Sequence, residues 1–187
     1  MTARLLSGCS ILAALLLPVS AASGQVLEAQ VLETRVPEAI AAPGETLVAT
    51  IHAQGAQVYV CAPDAASGRH AWQFREPIAT LIVDGKTVGR HYAGPNWELA
   101  DGSAVVAKAA GRAAGASDTD IPLLKLDVMS RRGSGQLSDV TTIQRLNTKG
   151  GVAVGDCAQA GALLSVPYSA DYAFYRKTRA SALPAAR

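Results

Sequence analysis

Polar and aromatic residues concentrate in one stretch, His91-Tyr92-Ala93-Gly94-Pro95-Asn96-Trp97-Glu98-Leu99-Ala100-Asp101-Gly102. A carboxylate near a histidine can move protons, so His91, Glu98 and Asp101 are the candidate catalytic groups. The indole of Trp97 and the phenol of Tyr92 offer flat faces on which a sugar ring stacks, which makes both candidate ligand contacts beside Glu98. Further along, Arg145 and Asn147 fall on one strand face with Thr141 and Ile143, where a guanidinium and an amide could orient a carboxylate or hydroxyl ligand. Tyr168-Ser169-Ala170-Asp171-Tyr172 sets a carboxylate between two phenols, another candidate rim. Each residue also has a plain structural use: Asp101 fits a turn, Trp97 a core, Glu98 a solvated strand face, and His91 a half-exposed hairpin.

Other chemistries find no support. His52, His70 and His91 are the only histidines and none is closely spaced with another, so no metal site is expected. No Gly-x-Gly-x-x-Gly, Gly-x-x-x-x-Gly-Lys or Gly-x-Ser-x-Gly string occurs, which argues against nucleotide cofactors and a nucleophile elbow. A formal net charge of +2 over 187 residues gives no electrostatic reason to expect a nucleic-acid partner.

The N-terminal residues read as a secretory leader: Arg4, an apolar run over 5–17, Pro18, then small residues to 24. The apolar run is shorter than the roughly 20 residues that span a bilayer, so no membrane span is expected. Leu6-Ser7-Gly8-Cys9 resembles a lipid-attachment box, but the apolar run follows the cysteine instead of preceding it, and cleavage near Ala21 or Ala22 is the preferred reading. Removal of the leader leaves Cys61 and Cys157. An even count in an oxidising compartment points to a disulfide between them, and the absence of Cys-x-x-Cys argues against a redox pair.

The elements that must position these groups are read from turn chemistry and period-two alternation. Strands are predicted over 46–53 and 57–62, separated by Gln54-Gly55, and over 78–83 and 87–92 as a hairpin about Asp84-Gly85. Gly94-Pro95 breaks the chain before a strand at 97–99, and Asp101-Gly102 turns it into 103–108. The alanine-rich stretch 104–116 is interrupted by Gly111 and Gly115 and shows no helical stripe, so it reads as strand and then loop. Alternation over 124–129, a strand over 140–147, a turn at Lys149-Gly150-Gly151 and one or two strands over 163–175, broken at Pro167, complete the series. The expectation is an all-β fold, an antiparallel sandwich or barrel of about eight short strands with one disulfide. Its parts are a leader over 1–22, an arm over 23–43, one domain over 44–176 and a disordered tail over 177–187.

Several strings occur together in order: Gly55-Ala56-Gln57-Val58-Tyr59-Val60-Cys61, His91-Tyr92-Ala93-Gly94-Pro95-Asn96-Trp97-Glu98, Ile143-Gln144-Arg145-Leu146-Asn147-Thr148 and Val166-Pro167-Tyr168-Ser169-Ala170-Asp171-Tyr172. In these the chain resembles domain of unknown function 3455, a family with bacterial and fungal members. The resemblance implies a secreted β-rich domain and names no catalytic residue. The leading functional expectation is a periplasmic or secreted, envelope-associated binding domain for a glycan or another small polar ligand, lined by Tyr92, Trp97, Glu98, Arg145 and Asn147. The alternatives are an extracellular hydrolase or lyase acting on a polymer, with His91, Glu98 or Asp101 transferring protons, and a structural or interaction protein of the envelope.

Overall fold

The computed structural model describes residues 36–178; the leader and residues 179–187 of the expected tail lie outside them, while Lys177, read as the start of the tail, ends the last strand instead. Eight antiparallel strands follow one another: β1 (Glu45–Pro63), β2 (His70–Val83), β3 (Lys86–Tyr92), β4 (Asn96–Leu99), β5 (Ala104–Ala113), β6 (Leu123–Arg132), β7 (Thr142–Gly150) and β8 (Leu163–Lys177). Each pairs with its sequence neighbour, and β8 returns to pair with β1 from Glu45↔Lys177 to Val60↔Leu163. Of the two architectures that the sequence leaves open, the sheet closes as a barrel. Closure removes the edge strands that an open sheet would expose.

Local chemistry accounts for the path. The β2–β3 hairpin turns at Asp84 (φ 48°) and Gly85 (φ 72°), the left-handed pair that a tight two-residue turn needs. Gln54-Gly55, expected to separate two strands, instead lies inside the single 19-residue strand β1. Gly55 is there because β2 crosses so closely that an added Cβ would collide with the carbonyl of Ile78. A glycine inside a strand here marks close backbone approach in a curved sheet. Likewise β8 runs through Pro167 unbroken, since β7 stops at the Gly150↔Tyr168 pair and leaves Pro167 a strand neighbour on one side only. β2 begins at His70, eight residues before the strand predicted from 78.

The barrel interior is apolar at one end. Ile51, Leu81, Leu99, Val105, Ile143 and Phe174 fill it, and Leu137 and Val140 from the β6–β7 connection plug it. Asp101 holds this plug in place. Its carboxylate accepts hydrogen bonds from the backbone N–H of Gln136 (2.7 Å) and from the N–H (2.8 Å) and hydroxyl (2.6 Å) of Ser103. These donors hold the Asp101 carboxyl below its ordinary value, with the Ser103 hydroxyl the main cause.

Outside the barrel, a 3-10 turn over Glu38–Ile40, in the stretch read as the arm, buries Ile40 fully and accepts the Gln144 side-chain amide at the Ile40 carbonyl (2.6 Å). The rest of the outer face carries Thr50, His52, Gln54, Thr80, Arg90, Lys108, Asp127 and Arg132 in exposed positions. Exposed apolar side chains, among them Leu47, Ile78 and Met129, lie on the strands as well. Among the described residues, no helix is long and apolar enough to cross a membrane.

Cys61, near the end of β1, is bonded to Cys157 in the β7–β8 connection, with 5.8 Å between their Cα atoms. Two backbone hydrogen bonds flank the bridge, from Cys61 N–H to the Ala162 carbonyl and from Gly161 N–H to the Cys61 carbonyl, each 2.8 Å. The connection is thereby tied to β1 at the end of the barrel opposite the plug.

Candidate functional site

Side chains alternate in and out along the strands except at register shifts, so the inward rows decide what the interior can hold. Towards the plug the rows end in Leu, Ile and Phe. Towards the other end β5 supplies Ala109, the β3–β4 turn supplies Gly94 and Pro95, and the rows no longer fill the width of an eight-stranded barrel. A cavity of about 870 Å³ results, lined by Leu124, Leu126 and Ile121 as apolar wall and by Gln57, Trp97 and Tyr172 at its inner side. Eight strands leave room for one small ligand when the interior is not filled, and the volume lies in the range of small-molecule sites.

Arg145 enters from the inward row of β7. Its Nε donates to the Pro122 carbonyl (3.0 Å), and among the described residues no carboxylate pairs with it. The guanidinium lies near enough to His91, Tyr59, Tyr168 and Tyr172 for its charge to act on all four. Burial raises the pKa of each tyrosine first, and the Arg145 charge opposes it. All three phenols are therefore neutral hydroxyl groups. The Tyr59 hydroxyl donates to the Gly151 carbonyl (2.6 Å), which fixes the rim to the disulfide-tied connection.

Gln57, Tyr168, Tyr172 and Arg145 form a chain of side-chain contacts, Tyr168 meeting Gln57 and Tyr172, and Tyr172 meeting Arg145. The geometry falls short of full hydrogen bonds at Gln57 Nε2 and the two phenols, whereas Trp97 Nε1 has no partner at all. Gln57, Trp97, Tyr168 and Tyr172 are between 1% and 3% exposed. Leaving a buried donor unpaired costs about 1–3 kcal/mol, so the lone indole N–H of Trp97 on the cavity lining calls for an acceptor.

His91 is 3% exposed, not half-exposed, because its position on β3 points into the barrel. Its ring stacks on Trp97 with centroids 4.2 Å apart, and Tyr172 meets both rings edge-on. Nδ1 lies 2.7 Å from the Asn96 carbonyl. A carbonyl only accepts, so Nδ1 carries the proton and Nε2 is the acceptor of the neutral ring. Burial lowers the His91 pKa to about 4, against the raising effect of the Asn96 hydrogen bond, and Arg145 lowers it further.

The remaining sequence candidates lie elsewhere. Tyr92 and Glu98 are on the outer face, opposite to their neighbours His91 and Trp97. Glu98 accepts the Tyr92 hydroxyl (2.7 Å) and pairs with Arg90 and Arg132 (3.1 Å each), and Arg90 covers the Tyr92 ring at 4.8 Å. These donors, the phenol first, hold the Glu98 carboxyl below its usual range. Asn147 does not share the inward face with Arg145. It takes a left-handed conformation (φ 50°) at a register shift in β7 and donates to Asp171 (2.8 Å), whose other oxygen meets His52 Nδ1 (2.8 Å) on the outside. Asp171 thus leaves the tyrosines on either side of it, which point inward. The structure brings together His91, Trp97 and Arg145 and separates them from Tyr92, Glu98, Asp101 and Asn147. It adds Gln57, Tyr59 and Tyr172, of which Gln57 and Tyr59 were absent from the sequence-based site.

A family model described as Protein of unknown function (DUF3455) matches residues 82–176, a little over half of the chain. The chain belongs to this family. The DUF3455 span runs from the end of β2 through β8, so it contains His91, Trp97, Arg145 and Tyr172, while Gln57 and Tyr59 on β1 lie outside it. No curated protein and no solved structure matches the chain.

Proposed function

We propose that the barrel is a binding domain that takes one small organic molecule in the cavity bounded by Gln57, Trp97, Arg145 and Tyr172, in an oxidising compartment outside the cytoplasm. The observation that carries this reading is a cavity of about 870 Å³ lined by the unpaired Trp97 Nε1 beside the buried polar groups of Gln57 and Tyr172 and the half-buried Arg145. A ligand that pairs with the indole N–H offsets its desolvation cost. The Cys61–Cys157 bond and the leader-like N-terminal sequence support a periplasmic or secreted location.

A glycan fits less well than a compact polar molecule. Trp97, the stacking face expected for a sugar, is 1% exposed with His91 against its ring, and the open aromatic face on the lining is the single ring of Phe74 at the rim. A hydrolase is also less favoured, because its three proton-transfer candidates point to the interior (His91), the outer face (Glu98) and the plugged end (Asp101), where no single substrate bond can meet two of them.

The test is a titration of the disulfide-intact protein with the neutral fluorophore N-phenylnaphthylamine, alongside the variant Ala109→Trp. Ala109 is exposed and lines the opening, so a large residue there fills the cavity without disturbing the core. Saturable binding that weakens by about tenfold or more in the variant is expected. Equal binding by both proteins, or binding by the unaltered chain of neither this probe nor its sulfonate analogue anilinonaphthalene sulfonate, overturns the reading.

A further inference from the structure

The charges around the cavity have one sign. Arg75, Arg112 and Arg145 line it and no aspartate or glutamate does, although the chain as a whole is nearly balanced. Arg75 turns aside to pair with Glu76 (3.1 Å), and Arg112 stands exposed at the rim. Arg145 is the half-buried cation, without a carboxylate partner among the described residues and surrounded by hydroxyl groups that stay neutral. A cation held in a low-dielectric site is costly unless an anion pairs with it. Cationic groups lining a concave, low-dielectric surface also concentrate anions there. The polar groups beside it agree in kind: the unpaired Trp97 Nε1 and the Gln57 Nε2 can only donate, and the Tyr172 hydroxyl can donate. The wall beyond them, Leu124, Leu126 and Ile121, offers no polar side-chain group.

We infer that the ligand is an organic monoanion, its carboxylate-like or sulfonate-like head held by Arg145 and the Gln57, Trp97 and Tyr172 donors, and its apolar body lying against Leu124 and Leu126. The inference rests on the reading of the cavity as the binding site. The planar guanidinium matches a two-oxygen head with two parallel N–H bonds, which an ammonium in its place cannot form.

Two fluorophores with the same aromatic body separate the two claims. Anilinonaphthalene sulfonate carries the anionic head, and N-phenylnaphthylamine lacks it. Dissociation constants are measured for both with the unaltered protein and with Arg145→Met and Arg145→Lys, each first checked for a native near-ultraviolet dichroism spectrum. The sulfonate is expected to bind about tenfold or more tightly than the neutral probe, with that preference reduced to about twofold or less in Arg145→Met and partly kept in Arg145→Lys. Equal affinities for the two probes, or a preference that survives Arg145→Met, overturns the anion assignment while leaving the cavity as a binding site. Binding of neither probe overturns both. If the variants do not fold, the ratio of the two affinities in the unaltered protein decides.

Discussion

Replacing Cys61 and Cys157 together by alanine is expected to lower stability by about 4–5 kcal/mol and the thermal midpoint by on the order of 15 °C. The bridge spans 96 residues, so without it the unfolded chain regains the freedom of a loop that includes most of the barrel. The folded state is affected as well. Gly151, whose carbonyl anchors the Tyr59 hydroxyl, begins the connection that Cys157 ties to β1. The variant should therefore weaken ligand binding in addition to unfolding earlier. Calorimetry with and without reductant checks this directly, and a midpoint that moves by only a few degrees would show that backbone pairing of β1 with β8 holds the connection unaided.

Acid should destabilise the protein from about pH 6.5 downward, before its carboxylates titrate, and His91 is the reason. Burial depresses its folded pKa to about 4 from the ordinary 6.5, so between these values the unfolded chain binds a proton that the folded chain refuses. Stability is then fully present above pH 6.5 and is lost as the pH falls towards 4, by about 3 kcal/mol in all. The carboxylates whose folded values are lowered, Asp101 and Glu98 among them, act in the same direction, but chiefly below about pH 4, where unfolded carboxyls protonate. Urea unfolding at a series of pH values should show a slope of about one proton between pH 4.5 and 6. His91→Phe keeps a flat ring against Trp97 and should abolish that slope. An unchanged slope in the variant would place the acid-sensitive group elsewhere.

The fold class was legible because its signals are local. Asp84-Gly85 and Asp101-Gly102 announce tight turns, and the alternation of Leu124, Leu126 and Val128 identifies a half-buried strand. Closure was not legible, since the pairing of β1 with β8 joins residues over a hundred positions apart and leaves no local mark. Gly55 and Pro167 were misread for a related reason. Both residues break an isolated strand, and both are accommodated here by what neighbouring strands do.

The site was half legible on the same grounds. Arg145 stands out as a charge in an inward row that otherwise carries Thr141 and Ile143. Gln57 would have stood out similarly, as the polar member of the row Ile51, Ala53, Gly55, Gln57, had β1 been read as continuous. Tyr92 and Glu98 were drawn into the site by nearness along the chain, which strand alternation reverses: Trp97 and Glu98 are adjacent in sequence and on opposite sides of the sheet. Asn147 followed period two from Arg145, and the register shift in β7 turned it outward.

The chain has two tryptophans, and their placement permits a direct test of where a ligand goes. Trp97 lines the cavity with its Nε1 unpaired, and Trp72 lies on β2 opposite Cys61, outside the lining. In a proton–nitrogen correlation spectrum of the uniformly labelled protein, each indole N–H gives one resonance. Saturation with anilinonaphthalene sulfonate should shift the Trp97 indole and the Gln57 side-chain amide and leave the Trp72 indole in place. A shift confined to Trp72, or binding that moves neither indole, would mean that the ligand sits on the outside of the barrel and that the interior is only a core.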